Sequence, residues 1–386
     1  MKRIALLIMP TMLAAASPVS TPASSPPHWT HGQVARLLEW LTFAADDGLA
    51  SVTPQSTTLR DLLSSPDQAA LDTAATQVAI TLLSAYRNGC CNASLRTGWH
   101  IAPDPGWTDP AAAVADAVDR NQIDPLFSQA RPSHPFYVAL RKAYAREQDP
   151  AKRATLAANM DRWRWMPRDL GSRYLLVNGA AFEASLWENR QMIGRWKVVV
   201  GKTQSPTPIF AASVTGIIFN PWWEIPSSIA AESVAAIVRN RPAEAARRGY
   251  VREGGRYRQR PGPGNSLGRM KLIMPNAYSV YLHDTPSQGL FAKDVRAYSH
   301  GCVRVGDALG LAAALLATRS DWARTRIDAV VAAGQTQKVD LPSSIPVYMA
   351  YFTAEPDGIG GMRYFPDIYH RDTGASAPAD DGQCDR

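Results

Sequence analysis

A histidine and a cysteine nineteen positions apart carry the chemistry of this chain. His283-Asp284-Thr285-Pro286 closes an alternating apolar run, and Ser299-His300-Gly301-Cys302-Val303-Arg304 follows Tyr298 in a polar, glycine-bearing turn. A cysteine is a good nucleophile only as the thiolate, so it needs a neighbouring base or a lowered pKa. His283 is the candidate base and Cys302 the candidate nucleophile. Gly301 allows close approach of a substrate. The N–H groups of Gly301 and Cys302 are candidates for an oxyanion hole, a feature whose loss costs about 2.7–4 kcal/mol of barrier. This combination points to acyl transfer through a thioester.

The neighbours refine the picture. Residues 278–283 read as a strand with Ser279, Tyr281 and His283 on one face and Val280 and Leu282 on the other. That pattern presents the imidazole at a strand end. Arg304 shares the side of Cys302 if the chain stays extended, where it could grip a carboxylate or steady the thiolate; a solvated surface charge is the alternative. Ser299 and His300 belong to the same site loop, with His300 suited to orienting it. Asp284 would point away from His283 on a strand, which leaves a backbone carbonyl to orient the imidazole. A zinc site is not expected: the spacing contains neither HExxH nor CxxC. Nor is a phosphate-binding cofactor, because Pro261-Gly262-Pro263-Gly264 has prolines where amides would cradle phosphate.

Stepping outward, Lys2 and Arg3 precede an apolar stretch over 4–16 that ends in small residues. This reads as a cleavable signal peptide over 1–16, too short to span a bilayer, followed by a flexible Pro/Ser/Thr spacer over 17–27. Export to the periplasm is the expectation. The chain has 386 residues, long enough for two domains, and a net charge of +7. Its basic surplus concentrates only in 239–260, with eight arginines against two glutamates. No nucleic-acid recognition motif accompanies it, so an anionic cell-wall polymer is the better partner. Of the four cysteines, Cys384 could pair with Cys90 or Cys91, leaving Cys302 free; the connectivity stays open.

Helical periodicity dominates 28–158, with Val34, Leu37, Leu38 and Leu41 on one face and a further helix over 71–86. After 159–167 the period changes from 3.6 to 2. Asn178-Gly179 between two apolar runs predicts a β-hairpin with a type I′ turn. The second domain, 159–353, reads as mainly β with helices between strands, followed by a tail over 354–386. An arginine-rich, helical insert over about 226–264 is either a surface excursion or a lid that supplies cations to a polyanionic substrate.

The segment 283–304 resembles the signature of the L,D-transpeptidases, the YkuD-type catalytic domain. Residues 159–167, Gly201-Lys202 with Thr207-Pro208, Asn220-Pro221-Trp222-Trp223 and 260–268 resemble its large YcbB-type branch. The likeness covers roughly 155–350, and the helical N-terminal region also resembles the scaffold of that branch. It implies an α+β fold: a helical N-terminal scaffold plus a mainly-β catalytic domain with an inserted helical lid. It implies a peptidoglycan enzyme that forms 3→3 cross-links. Cys302 would attack the bond between diaminopimelate and the terminal D-alanine of a tetrapeptide stem, and His283 would relay the proton. The side-chain amine of a second stem would resolve the thioester. Trp222, Tyr281 and Arg304 would line the cleft. Partners on this reading are stem peptides, other cell-wall synthesis proteins and carbapenem-type inhibitors. With water as acceptor the enzyme would be an L,D-carboxypeptidase; attachment of an outer-membrane protein is a third use, and a non-catalytic wall-binding protein a fourth reading. Two departures stand out. The stretch from Leu140 to Asn159 leaves no room for the peptidoglycan-binding module of larger members, and Arg304 replaces the asparagine of the general signature.

Overall fold

A computed structural model of the chain describes residues 26–49, 54–89, 93–102 and 109–372. The expected signal peptide, nearly all of the spacer, Cys90, Cys91 and Cys384 lie outside the described residues.

Seven helices build the scaffold among these residues: α1 (His31–Asp46), α2 (Gln55–Leu63), α3 (Gln68–Asn88), α4 (Pro110–Asp119), α5 (Ile123–Ala130), α6 (Pro135–Tyr144) and α7 (Pro150–Arg164). Their starts are written in the sequence. Thr30 and Gln33 close a capping box on α1, while Asp109 and Asp149 cap α4 and α7 just before a proline in the first turn. Val34, Leu37 and Leu41 of α1 share one apolar core with Leu71, Val78 and Leu82 of α3. The domain boundary expected at 158/159 falls inside α7, which belongs to both halves. At its end Arg164 donates to Asp161 and to the Asp47 carbonyl in the scaffold. On its other side Asn159 Nδ2 donates to Thr353 Oγ1 at 2.8 Å, and Trp163 stacks between His134 and Phe352 at 4.0 and 4.7 Å.

The second half is a ten-stranded sheet with small satellites. Its strands are β1 (Trp99–His100), β2 (Arg173–Asn178), β3 (Glu183–Glu188), β4 (Gln191–Gly201) and β5 (Ile209–Phe219). After the insert come β9 (Met270–Ile273), β10 (Leu282–His283), β11 (Ala297–Ser299), β12 (Val303–Val305) and β13 (Gln337–Ala350). The pairing order is β1-β5-β13-β2-β3-β4-β12-β10-β9; β9 also pairs with β5, which closes the path into a barrel. Leu175, Val198, Ile217, Leu272, Leu282 and Val303 fill it together with residues of α11 (Ala308–Leu316) and α12 (Arg324–Ala332). A two-stranded ribbon, β14 (Ala354–Pro356) and β15 (Met362–Tyr364), follows.

The insert differs from the helical lid expected. It opens with β6 (Trp223–Glu224) and passes through α8 (Ser227–Ile229), a π-turn at Ala230–Val234, α9 (Ala235–Asn240) and α10 (Pro242–Arg247). It then turns into a hairpin, β7 (Tyr250–Glu253) and β8 (Arg256–Gln259), which joins β6 in a three-stranded sheet. Gly254-Gly255, at φ +53° and +78°, make the tight turn that this hairpin needs.

The β2–β3 hairpin exists, but its turn is not type I′. Asn178 pairs with Glu183 across a four-residue loop, and it is Phe182 that takes φ +54°. Asn178 is held elsewhere: its Nδ2 donates to Phe352 O and Glu355 Oε1 at 2.8 and 2.6 Å. Two consecutive left-handed residues occur instead at Asn189-Arg190, between β3 and β4.

Asp47 is the polar centre of the scaffold. Fully buried, it accepts from the Tyr86 and Tyr137 hydroxyls at 2.9 and 3.0 Å and pairs with Arg131 at 2.6 Å. Asp47→Ala leaves that guanidinium buried without its carboxylate, so the expected loss is about 3–5 kcal/mol. Urea denaturation of the two proteins measures it, and a change below about 1 kcal/mol would contradict the role assigned to Asp47.

Candidate active site

The site lies where β10 and β12 run side by side. They pair in parallel with Leu282 opposite Val303 and His283 opposite Arg304, while β9 sets Lys271 opposite His283 on the other flank. Leu282 and Val303 sink into the barrel core. The intervening face, with Tyr281, His283, Cys302, Arg304 and Lys271, opens into a cavity of about 650 Å³.

The strand expected over 278–283 shrinks to Leu282–His283. Asn276 is the reason: its side chain accepts from Tyr278 N and Val280 N at 3.0 and 3.3 Å and donates to Met274 O and Val280 O, both at 2.7 Å. This asparagine-centred turn puts Ser279 at φ +55° and carries its carbonyl to 3.9 Å from Cys302 Sγ. The alternation of faces survives beyond the turn, with Val280 buried and Tyr281 and His283 ring to ring at 5.6 Å.

His283 is 5% exposed, and its Nδ1 lies 2.5 Å from the Asp284 carbonyl oxygen. A carbonyl can only accept, so Nδ1 carries the proton and Nε2 keeps a free lone pair. The Asp284 carboxylate turns away, accepting from Arg269 N and Nε at 2.8 Å each. Burial first, then the nearby Arg304 guanidinium, lowers the imidazole pKa to about 4. Burial also raises the Cys302 thiol, opposed by the Tyr281 backbone N–H and the Lys271 ammonium. Base and thiol are therefore both neutral near pH 7. A nucleophilic role for this thiol would require its proton to be taken during attack rather than lost beforehand.

The loop before the thiol is tightly bonded. Ser299 Oγ donates to Cys302 O at 2.5 Å and accepts from Gly301 N at 3.1 Å. Thr207 Oγ1 donates to Gly301 O at 2.8 Å and accepts from Gly201 N at 2.9 Å; Tyr369 donates to Gly201 O at 2.6 Å. Gly301 sits at φ +116°, and a Cβ there would approach nothing closer than 3.9 Å, so backbone angle rather than space demands glycine. These bonds correct one expectation. The Gly301 amide is engaged inside the loop, leaving the Cys302 N–H as the donor available to an oxyanion.

Of the residues anticipated from sequence, Tyr281, His283, Ser299, His300, Cys302 and Arg304 all border the cavity, while Gly301 is not among its lining residues. Trp222 does not. It packs under the Arg258 guanidinium at 4.5 Å, and Trp223 lines the cavity in its place. Period-two reading of Trp223 and Ile225, both buried, would have chosen correctly. Lys271 was also missed, although it stands between the core residues Met270 and Leu272 and so must face away from the barrel interior. Its Nζ lies 4.4 Å from the Tyr281 ring centre. The insert presents Glu224 and Glu232, not arginines, to the cavity, so the cationic lid is not realised. Glu232 meets His300 Nε2 at 3.0 Å and bridges the insert to the site loop.

Two family models match parts of this chain. The model of the L,D-transpeptidase catalytic domain (YkuD) matches residues 172–331, and that of the Scaffold domain matches 23–143. A Haemophilus influenzae protein named "Putative L,D-transpeptidase" is 30% identical over 237 residues, 56% of this chain and 48% of that protein. The chain thus spans about half the length of that relative. Among solved structures, the Ldtfm-avibactam carbamoyl enzyme aligns at 13% identity over 48% of this chain and 52% of its own, with a TM-score of 0.26. An L,D-transpeptidase from Mycobacterium smegmatis aligns at 11% over 46% and 58%, with a TM-score of 0.25. Both superpositions are slight.

The His283 environment fixes a titration. Because its folded pKa lies below that of free imidazole, the ring stays neutral as pH falls through about 6.5 and protonates only near pH 4. Nitrogen-15 NMR of the ring should show the Nδ1-protonated neutral form at pH 7; the Nε2-protonated tautomer would refute the bond to the Asp284 carbonyl, and an imidazolium at pH 6 would refute the burial of the ring beside Arg304.

Proposed function

We propose that this chain, whose residues 172–331 are an L,D-transpeptidase catalytic domain behind a Scaffold domain, is a peptidoglycan L,D-transpeptidase that makes 3→3 cross-links through a Cys302 thioester. The observation that carries the reading is that His283 on β10 and Cys302, the residue just before the neighbouring β12, border one cavity with the lone pair of Nε2 free.

In the proposed sequence, Cys302 Sγ attacks the carbonyl that joins the L-centre of diaminopimelate to the terminal D-alanine of a tetrapeptide stem. His283 Nε2 takes the thiol proton as the S–C bond forms. The oxyanion meets the Cys302 N–H. The C–N bond then breaks, and the same proton leaves on the amine of D-alanine. The side-chain amine of a second stem attacks the thioester, gives its proton to His283, and frees the thiol. Resolution by water instead would make the product a tripeptide. The work belongs in the periplasm, where the signal-peptide reading places the chain.

Incubation with a defined disaccharide-tetrapeptide, followed by mass spectrometry, tests the proposal. The wild type should release D-alanine and form 3→3 dimers, and Cys302→Ala should lower both by roughly 10⁴-fold or more. Tripeptide without dimer would replace the transpeptidase by a carboxypeptidase, and no turnover would leave a wall-binding protein. A carbapenem should add its mass to Cys302 in the folded wild type and not to Cys302→Ala. Trp223→Ala should lower turnover at least about tenfold, whereas Trp222→Ala, off the cavity, should change it less than about threefold.

A further inference from the structure

Lys271, His283 and Arg304 occupy one cross-strand rung over β9, β10 and β12. Adjacent strands lie about 4.8 Å apart, so a cation flanks the imidazole on each side. Both cations are partly buried and border the cavity. Neither has a carboxylate within ion-pair distance among the described residues. The acid nearest in influence to Lys271 is Glu224, and its carboxylate is bonded to Arg258 at 2.7 Å. Three arginines of the insert are treated differently: Arg241, Arg248 and Arg258 each hold a glutamate. Withdrawing an ammonium and a guanidinium from water without a counter-ion carries a desolvation cost that a bound anion offsets.

The chemistry of the leaving group says which anion fits. In the reaction proposed above, on which this inference rests, the departing residue bears its amine and its carboxylate on one carbon. His283 must reach the amine to return the proton, so a carboxylate one carbon further falls beside the ring. We propose that Lys271 and Arg304 together hold the free α-carboxylate of the leaving residue. The site thereby selects donors whose scissile amide is followed by a single amino acid. Arg304 offers a planar fork and Lys271 a point charge from the opposite strand. The carboxylate stays ionised throughout. The S–C bond forms, the C–N bond breaks, and the thiol proton passes through Nε2 to the amine, so the amino acid leaves as its zwitterion.

The test compares one tetrapeptide donor as its C-terminal acid and as its C-terminal primary amide, with release of D-alanine or D-alaninamide as readout. In the wild type, amidation should lower kcat/KM about 10–100-fold. Lys271→Met should lose a similar factor on the acid and change little on the amide, whereas Lys271→Arg should keep the discrimination. Equal losses on acid and amide would reduce Lys271 to a structural role and overturn the proposal, as would a wild type indifferent to amidation. Binding to Cys302→Ala, measured by calorimetry, separates this idea from the turnover reading. The acid should bind at least about tenfold more tightly than the amide even if no thioester ever forms, and Lys271→Met in that background should shrink the difference to what Arg304 alone supplies. Equal binding of the two donors would also sink it.

Discussion

The parallel pairing of β10 with β12 is the constraint on which the site depends. Parallel neighbours cannot be joined by a tight turn; the chain must leave the sheet, travel and re-enter in the same sense. Between His283 and Val303 it does so through the 3₁₀ turn at Gln288–Ala292 and through β11, which pairs in parallel with β4. The distance in sequence between base and thiol is therefore the length of a crossover. What looks like a motif spacing is the contour needed to bring two strand ends to one rim.

Charge at that rim follows from depth. A buried imidazole and a buried thiol are each cheaper to keep neutral than ionised, and two cations beside the ring oppose a third positive charge. The Asp284 carbonyl then settles which nitrogen is free, a task often given to a carboxylate. Here that carboxylate is spent on Arg269 and on the tight approach of Gly268, where a Cβ would come within 2.6 Å of Asp284. One residue thus serves twice, its backbone orienting the base and its side chain fixing the preceding turn.

Much of this was legible in the chain. Cap residues, the 3.6-residue periodicity of α1 and α3, and the placing of His283 and Cys302 at one cavity are signals with direct physical causes. Other readings failed where tertiary partners outbid local preference. Asn178-Gly179 looks like a hairpin turn until Phe352 and Glu355 claim the asparagine side chain. Residues 278–281 look like strand until Asn276 folds them into a turn. The insert read as helical because its alanines and arginines outnumber its turn signals, yet Gly254-Gly255 between Tyr250 and Gln259 announced the hairpin. Lys271 had no local motif at all. Its significance appears only through register, which a sequence read element by element does not supply.

The loop bearing Cys302 is steadied by its own serine and from two distant stretches, at Thr207 and at Tyr369 near the far limit of the described chain. A polypeptide made amino end first therefore displays its sulfur before the phenol that braces it has arrived. The braced loop is a late event in the life of the molecule, reached when the segment bearing Tyr369 docks. Copies without that segment carry the sulfur without its brace.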